Sequence, residues 1–132
     1  MYRLSNRSLR RLEGVDPLLI EINKKSIKTS PYDYGIPMYG GFRTSEEQKE
    51  MYAIGRTKEL HRSPITWTLN SYHMTGKAFD IYAYVNGKAS WDLKYLEPIA
   101  RNIQRVAMDC FNVKIEWGQD LWGKDGAHFQ IS

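Results

Sequence analysis

Helical and extended patterns follow one another in this chain without regular strand–helix–strand alternation, which argues against a parallel, doubly wound sheet. Val15-Asp16-Pro17 opens a helix, with Asp16 as cap and Pro17 at its first position, and it runs to about residue 28. Ile36 to Tyr39 reads as a short strand leading into Gly40-Gly41. Ser45 and Gln48 form a capping box for a helix that Gly55 ends. Residues 56–72 hold Pro64 and few periodic apolar positions, which reads as an irregular loop. Ala78 to Tyr84 is rich in β-formers and Asn86-Gly87 is a turn signal. Ile99, Ile103, Val106, Ala107 and Cys110 predict a helix over about 98–110, with Pro98 in its first turn. Val113–Trp117 and Ala127–Ile131 read as strands. The expectation is an α+β fold: a small, mainly antiparallel sheet flanked by helices.

At 132 residues, without repeats or a linker, the sequence reads as one domain over 1–132. Seventeen aromatic residues (nine Tyr, four Trp and four Phe) exclude disorder as the main state. The single Cys110 forms no internal disulfide and falls on the apolar stripe of its helix, as an inert core thiol would. No apolar run approaches the ~20 residues of a spanning helix, and Met1 to Arg7 lacks the apolar stretch of a secretory signal, so no stable membrane insertion is expected. The net charge of +4 is concentrated at one end: residues 1–30 carry seven Lys and Arg against three Asp and Glu. Such a patch attracts a polyanion or serves as a solvated face; alone it is a weak case for nucleic acid, and none is expected as partner.

Among His61, His73 and His128, the last two stand in segments that suggest a metal site: Ser71-Tyr-His73-Met-Thr-Gly76-Lys-Ala-Phe-Asp80 and Gly123-Lys-Asp125-Gly-Ala-His128-Phe129. Zinc binds imidazole nitrogen and carboxylate oxygen at ~2.0–2.2 Å, so its ligands must converge. His73 and Asp80, seven apart, share an ion only where the chain folds back, and Gly76 permits that bend. An unpaired carboxylate on the apolar strand around Asp80 would be costly; a metal explains it, and an Arg43–Asp80 salt bridge is the structural alternative. Asp125 falls on a turn before the strand that carries His128. His61 lacks such partners and reads as a surface residue. Arg43 has a second bland reading, pairing with Glu46 or Glu47 across one helical turn. Tyr72, Trp117 and Trp122 either line a groove or belong to the core.

The Ser71-x-His73-x-x-Gly76-x-Ala78-x-Asp80 run resembles the first metal motif of the zinc D,D-carboxypeptidase and L-alanyl-D-glutamate endopeptidase family, and Asp125-Gly-Ala-His128-Phe129 resembles its second. Gly41-Phe42-Arg43-Thr44, Gln48, Tyr52-Ala-Ile-Gly55-Arg56-Thr57 and Trp117-Gly118 are similar to the endopeptidase branch, which includes phage endolysins. The likeness runs from about Leu9 to Gln130 and departs from the branch at Gln119, where a second glycine is frequent. It implies a Hedgehog/D,D-peptidase-like fold, one Zn2+ per chain on His73, Asp80 and His128, Asp125 as general base, and Arg43 as the cation that steadies substrate and oxyanion. It further implies hydrolysis of the L-alanyl–D-glutamate bond of bacterial peptidoglycan by a monomer. That monomer would be made in the host cytoplasm and reach the wall after membrane permeabilisation. Two rival readings are a D,D-carboxypeptidase or dipeptidase of the same family and a non-catalytic, zinc-stabilised wall-binding module.

Overall fold

The structure, a computed structural model, describes residues 1–56 and 71–131. The expected loop over 56–72 therefore lies, but for its ends, outside the described residues, as does His61. A helix that the periodicity did not suggest, α1 (Asn6–Arg11), begins where the Ser5 side chain accepts from the Ser8 N–H. Asp16 caps α2 (Pro17–Ser26) through the Leu18 N–H, and a 3-10 turn (Ile27–Thr29) extends it to the expected length. Leu19 and Ile22 on its inner face are fully buried.

The first strand, β1 (Asp33–Gly35), precedes the expected one. Pro37 has no N–H to give a ladder, and Pro37–Gly40 instead close a turn through Gly40 N–H to Pro37 O at 2.9 Å. Helix α3 (Ser45–Ala53) carries a capping box, but on Thr44 and Glu47 rather than Ser45 and Gln48. The Gln48 side chain is fully buried and accepts from Arg43. Gly55, at φ +79, follows the helix end as expected.

The expected strand over 78–84 is divided in two, β2 (Ala78–Asp80) and β3 (Tyr82–Val85). Between them, the Ile81 N–H leaves the ladder for Ala127 O at 3.0 Å. A tight turn with Asn86 at φ +53 and Gly87 at φ +77 leads to β4 (Lys88–Ser90). Asp92 starts α4 (Leu93–Phe111) earlier than expected, so Pro98 lies inside the helix and not in its first turn. Cys110 is exposed, contrary to the core reading; at this end of α4 it is Phe111 that packs on the core. The remaining elements are β5 (Glu116–Trp117), α5 (Gly118–Trp122) and β6 (His128–Gln130), the two strands shorter than the sequence suggested.

Two three-stranded antiparallel sheets result, ordered β1-β3-β4 and β2-β6-β5. Mixed helix and small antiparallel sheets match the α+β expectation. Helices α2 and α4 pack together over the core, where Phe79 and Phe129 stack at 5.1 Å between ring centres. That stacked pair sets the β2–β6 register, which places Asp80 directly opposite His128.

Candidate metal centre

Each of the three facing side chains is delivered by a different local device. His73 lies on a 3-10 turn (Tyr72–Thr75) capped by Ser71, whose hydroxyl accepts from the His73 N–H at 3.2 Å. Gly76 ends that turn in the left-handed conformation, φ +73, and its carbonyl accepts from the Asp16 N–H at 2.9 Å. A Cβ on Gly76 would stand 2.7 Å from Gly14 O, so only glycine fits both the backbone and the space. The reversal brings β2 back past His73, and the β2–β6 register supplies His128.

His73 Nε2 lies 3.1 Å from Asp80 Oδ1, His128 Nδ1 lies 3.2 Å from the same oxygen, and the two nitrogens are 3.3 Å apart. His73 and His128 are buried and Asp80 is partly so. Among the described residues these three form the one cluster of His, Cys, Asp and Glu able to hold a metal ion. The other ring nitrogens point to acceptors: His73 Nδ1 donates to Gly41 O at 2.8 Å, and His128 Nε2 donates to Gln130 Oε1 at 2.7 Å. When neutral, imidazoles in these tautomers leave His73 Nε2 and His128 Nδ1 unprotonated beside the Asp80 oxygen, as a metal site needs.

Arg43 is 6% exposed, and its guanidinium is held on three sides. Nε donates to Tyr39 O at 2.7 Å, one terminal nitrogen to Gln48 Oε1 at 3.1 Å and the other to Asp80 Oδ2 at 3.0 Å. The Arg43–Asp80 salt bridge is thus present beside the cluster, and Glu47 caps α3 rather than pairing with Arg43. Burial works to raise the Asp80 pKa, but the two histidines outweigh it by charge and hydrogen bonds and hold the carboxyl well below the usual range. Burial opposes the protonated form of His128, yet its contacts with Asp80 prevail and raise its pKa.

Asp125 is outside the three-residue cluster but within its field. It lies on the turn before β6, at φ +64, and its carbonyl accepts from the His128 N–H at 3.1 Å. Burial raises its pKa first, then the Asp80 charge; His128, His73 and Arg43 pull the other way. The Trp117-Gly118 pair shapes this loop. The Trp117 indole donates to Gly126 O at 2.7 Å, and a Cβ on Gly118 would stand 2.3 Å from Asp125 O. Gln119, the departure noted in the sequence, serves α5 as a backbone acceptor for Gly123 N–H.

Of the aromatic candidates, Trp117 is buried, Trp122 has its ring 5.2 Å from that of His128, and Tyr72 is exposed. Arg56 stacks over Tyr52 at 4.0 Å and donates to its carbonyl. Sequence reasoning missed Gln130 as a histidine acceptor and Gln48 as the partner of Arg43. Only the two-residue spacing of Gln130 from His128, which puts both on one face of β6, hinted at the first.

Comparison with known proteins bears on the family and the fold. The family model described as phage L-alanyl-D-glutamate peptidase matches residues 1–131. The L-alanyl-D-glutamate peptidase of Escherichia phage T5 is 27% identical over 126 residues, covering 95% of this chain and 85% of the relative. The crystal structure of the L-Ala D-Glu endopeptidase ChiX of Serratia marcescens superposes with a TM-score of 0.80 at 32% identity, covering 99% of this chain and 90% of that one. The vancomycin resistance D,D-pentapeptidase VanY, solved in complex with Zn(II), shares the fold with a TM-score of 0.61 at 15% identity, covering 89% of this chain and 72% of that one.

Proposed function

The chain belongs to the phage L-alanyl-D-glutamate peptidase family, and on that premise we propose that it hydrolyses the L-alanyl–D-glutamate bond of the peptidoglycan stem, with one zinc ion held by His73, Asp80 and His128. The observation that carries the metal assignment is the mutual spacing of the three donor atoms, 3.1–3.3 Å. Ligands ~2.0–2.1 Å from a tetrahedral ion stand about 3.3–3.4 Å apart, and the donors lie within about 0.3 Å of that spacing, which supports the reading. Without an ion a proton on a ring nitrogen bridges these atoms; with one, two imidazoles and one carboxylate leave a fourth position for water or substrate. When bound, zinc supplies Lewis acidity, polarising the scissile carbonyl and acidifying a water beside it.

The chain's own residues do the rest. Asp125 takes the proton of the attacking water; the burial that raises its pKa makes it a better base than a solvated aspartate and lets it return the proton to the leaving amine. Arg43 holds Asp80 through Oδ2 and keeps Oδ1 turned towards the histidines. Its positive charge, which reaches Asp125, also favours the oxyanion that develops on the carbonyl. His73 and His128 keep their tautomers through Gly41 O and Gln130.

The catalytic unit is the single domain over 1–132, acting as a monomer on the bacterial wall. As a phage lysin it would be made in the host cytoplasm and meet the wall once another protein has opened the membrane; among the described residues no helix is long and apolar enough to cross that membrane. The test is mass spectrometry of purified peptidoglycan after digestion, with and without chelator. A new D-glutamate amine that appears only with metal present is expected. Release of terminal D-alanine instead would make the chain a D,D-carboxypeptidase, and bound zinc without any cleavage would make it a binding module.

A further inference from the structure

A second concave surface lies on the other sheet, apart from the metal centre. Between the N-terminal segment and the outer face of β1 and β3 is a groove of about 350 Å3, lined by Arg3, Arg7, Gly35, Tyr82 and Tyr84 among others. The row of side chains explains its form. Phe79, Ile81 and Ala83 are fully buried, so Asp80, Tyr82 and Tyr84 share the opposite side of the chain. Gly35 is paired with Tyr82 in the β1–β3 register, and a Cβ there would stand 2.5 Å from the Tyr82 hydroxyl. The tyrosine therefore lies flat across the glycine. Trp91, just past β4, continues the surface with its ring 6.0 Å from that of Tyr82, and it is 57% exposed. Tyr84 is 46% exposed, and Arg3 and Arg7 are both exposed.

We propose that this groove binds the glycan strand of peptidoglycan, with Tyr82, Tyr84 and Trp91 stacking on the sugar rings and Arg3 and Arg7 pairing with carboxylates. The choice of polymer rests on the proposed substrate. The C–H-lined face of a pyranose ring is apolar and packs on an aromatic face, and here three aromatic side chains adjoin one groove. Arginine adds a two-donor fork suited to the lactyl carboxylates left free where a stem peptide is missing. The groove also holds Asp33, so two arginines face one carboxylate and the balance stays positive.

Distance favours the same occupant. L-alanine is the first stem residue, so the sugar lies within about two residue lengths, ~7 Å, of the bond to be cut. The chain passes from β2 to β3 through the single residue Ile81, so Tyr82 stands at most ~7 Å and Tyr84 at most ~14 Å from Asp80 along the backbone. A stem peptide placed at the metal centre thus has its sugars within reach of the tyrosines.

The test is titration calorimetry of the zinc-loaded chain with peptide-free glycan strands of alternating N-acetylglucosamine and N-acetylmuramic acid. Turnover of a glycan-free stem peptide is measured in parallel. Tyr84→Ala and Trp91→Ala, both at exposed positions, should each weaken glycan binding about ten-fold or more while stem-peptide turnover stays at the wild-type level. Trp91→Phe should restore most of the affinity. No heat with the wild-type chain, or wild-type affinity in both alanine variants, overturns the proposal. So does complete displacement of the glycan by inorganic polyphosphate with loss of binding only in Arg7→Glu, which would make the surface a charge patch. Glycan binding that depends on the aromatics, in a chain that never cleaves stem peptide, supports the groove while refuting the peptidase assignment.

Discussion

Replacing Arg43 by lysine keeps the charge and should nevertheless damage the protein in two measurable ways. The three guanidinium bonds fan out to Tyr39 O at 2.7 Å, Gln48 at 3.1 Å and Asp80 at 3.0 Å. A lysine ammonium carries its donors on one atom, so it can keep the Asp80 contact but not the other two as well. Two lost bonds, made by a charged donor at a site 6% exposed, amount to roughly 3 kcal/mol. For a chain of 132 residues that is a fall in Tm of about 10 °C, read by circular dichroism on the chelated protein. The second effect is on the metal. Asp80 loses the planar partner that fixes its rotation, and losing an outer partner of a ligand typically weakens binding 10–100-fold, a change a competing zinc chelator would report. A melting temperature within ~2 °C of wild type, with unchanged zinc affinity, would refute the positioning argument. It would leave Arg43 to act on substrate alone.

Asp125→Ala should keep zinc near one per chain by atomic absorption while turnover falls by ~10²–10⁴-fold, whereas Asp80→Ala should lose metal and activity together; the opposite pattern would exchange their roles. Zinc affinity should fall on acidification, beginning above the ordinary histidine range, because the His128 pKa in the metal-free chain is raised through its contacts with Asp80 and protons then compete with the ion. The sign follows from the direction of the shift: His128 is more readily protonated than a free histidine, so in calorimetry zinc should release protons near neutral pH, and no release there contradicts the assignment. Gly76→Ala should cost at least the ~1–2 kcal/mol of left-handed backbone and more for the 2.7 Å approach to Gly14 O, lowering both Tm and zinc affinity; wild-type values for both would mean that the turn is not needed to place His73.

Features fixed by the chain within a few residues were legible in the sequence. The Asp16 cap, the fold-back at Gly76 and the turn before His128 each depend on local backbone chemistry, and each is present. Choices settled by tertiary partners were not. Thr44-Ser45-Glu46-Glu47-Gln48 contains two overlapping capping boxes, and the local pattern does not rank them. The use of Gln48 by Arg43 draws its side chain inward and leaves Thr44 and Glu47 to cap α3. Pro98 reads as a helix start because proline suits a first turn, but Asp92 caps the chain six residues before it. The helix bears the missing N–H because its inner face, from Leu96 to Ala107, is held by the core.

The two turning points of the metal centre both use left-handed backbone, and they differ in a way that bears on function. At Gly76 that conformation is unstrained, and the residue contributes only shape. At Asp125 the same region is occupied by a residue with a side chain, φ +64, although Gly123 and Gly126 beside it show that the loop admits glycine. Aspartate is among the few side chains that tolerate this backbone, but glycine would hold the turn at lower cost. The loop is nonetheless closed around it, by His128 N–H on its carbonyl and by Gly118 packed against the same oxygen. A fold that needed only the turn would gain from glycine at 125. One that needs a carboxylate in the field of Asp80, His73 and His128, yet outside their ligand set, has to accept the strain. Left-handed backbone alone does not single out Asp125, since Tyr39, Asn86 and Asn112 share it; its place in the field of His73, Asp80 and His128 does, and that is the ground on which the role of base is proposed for it.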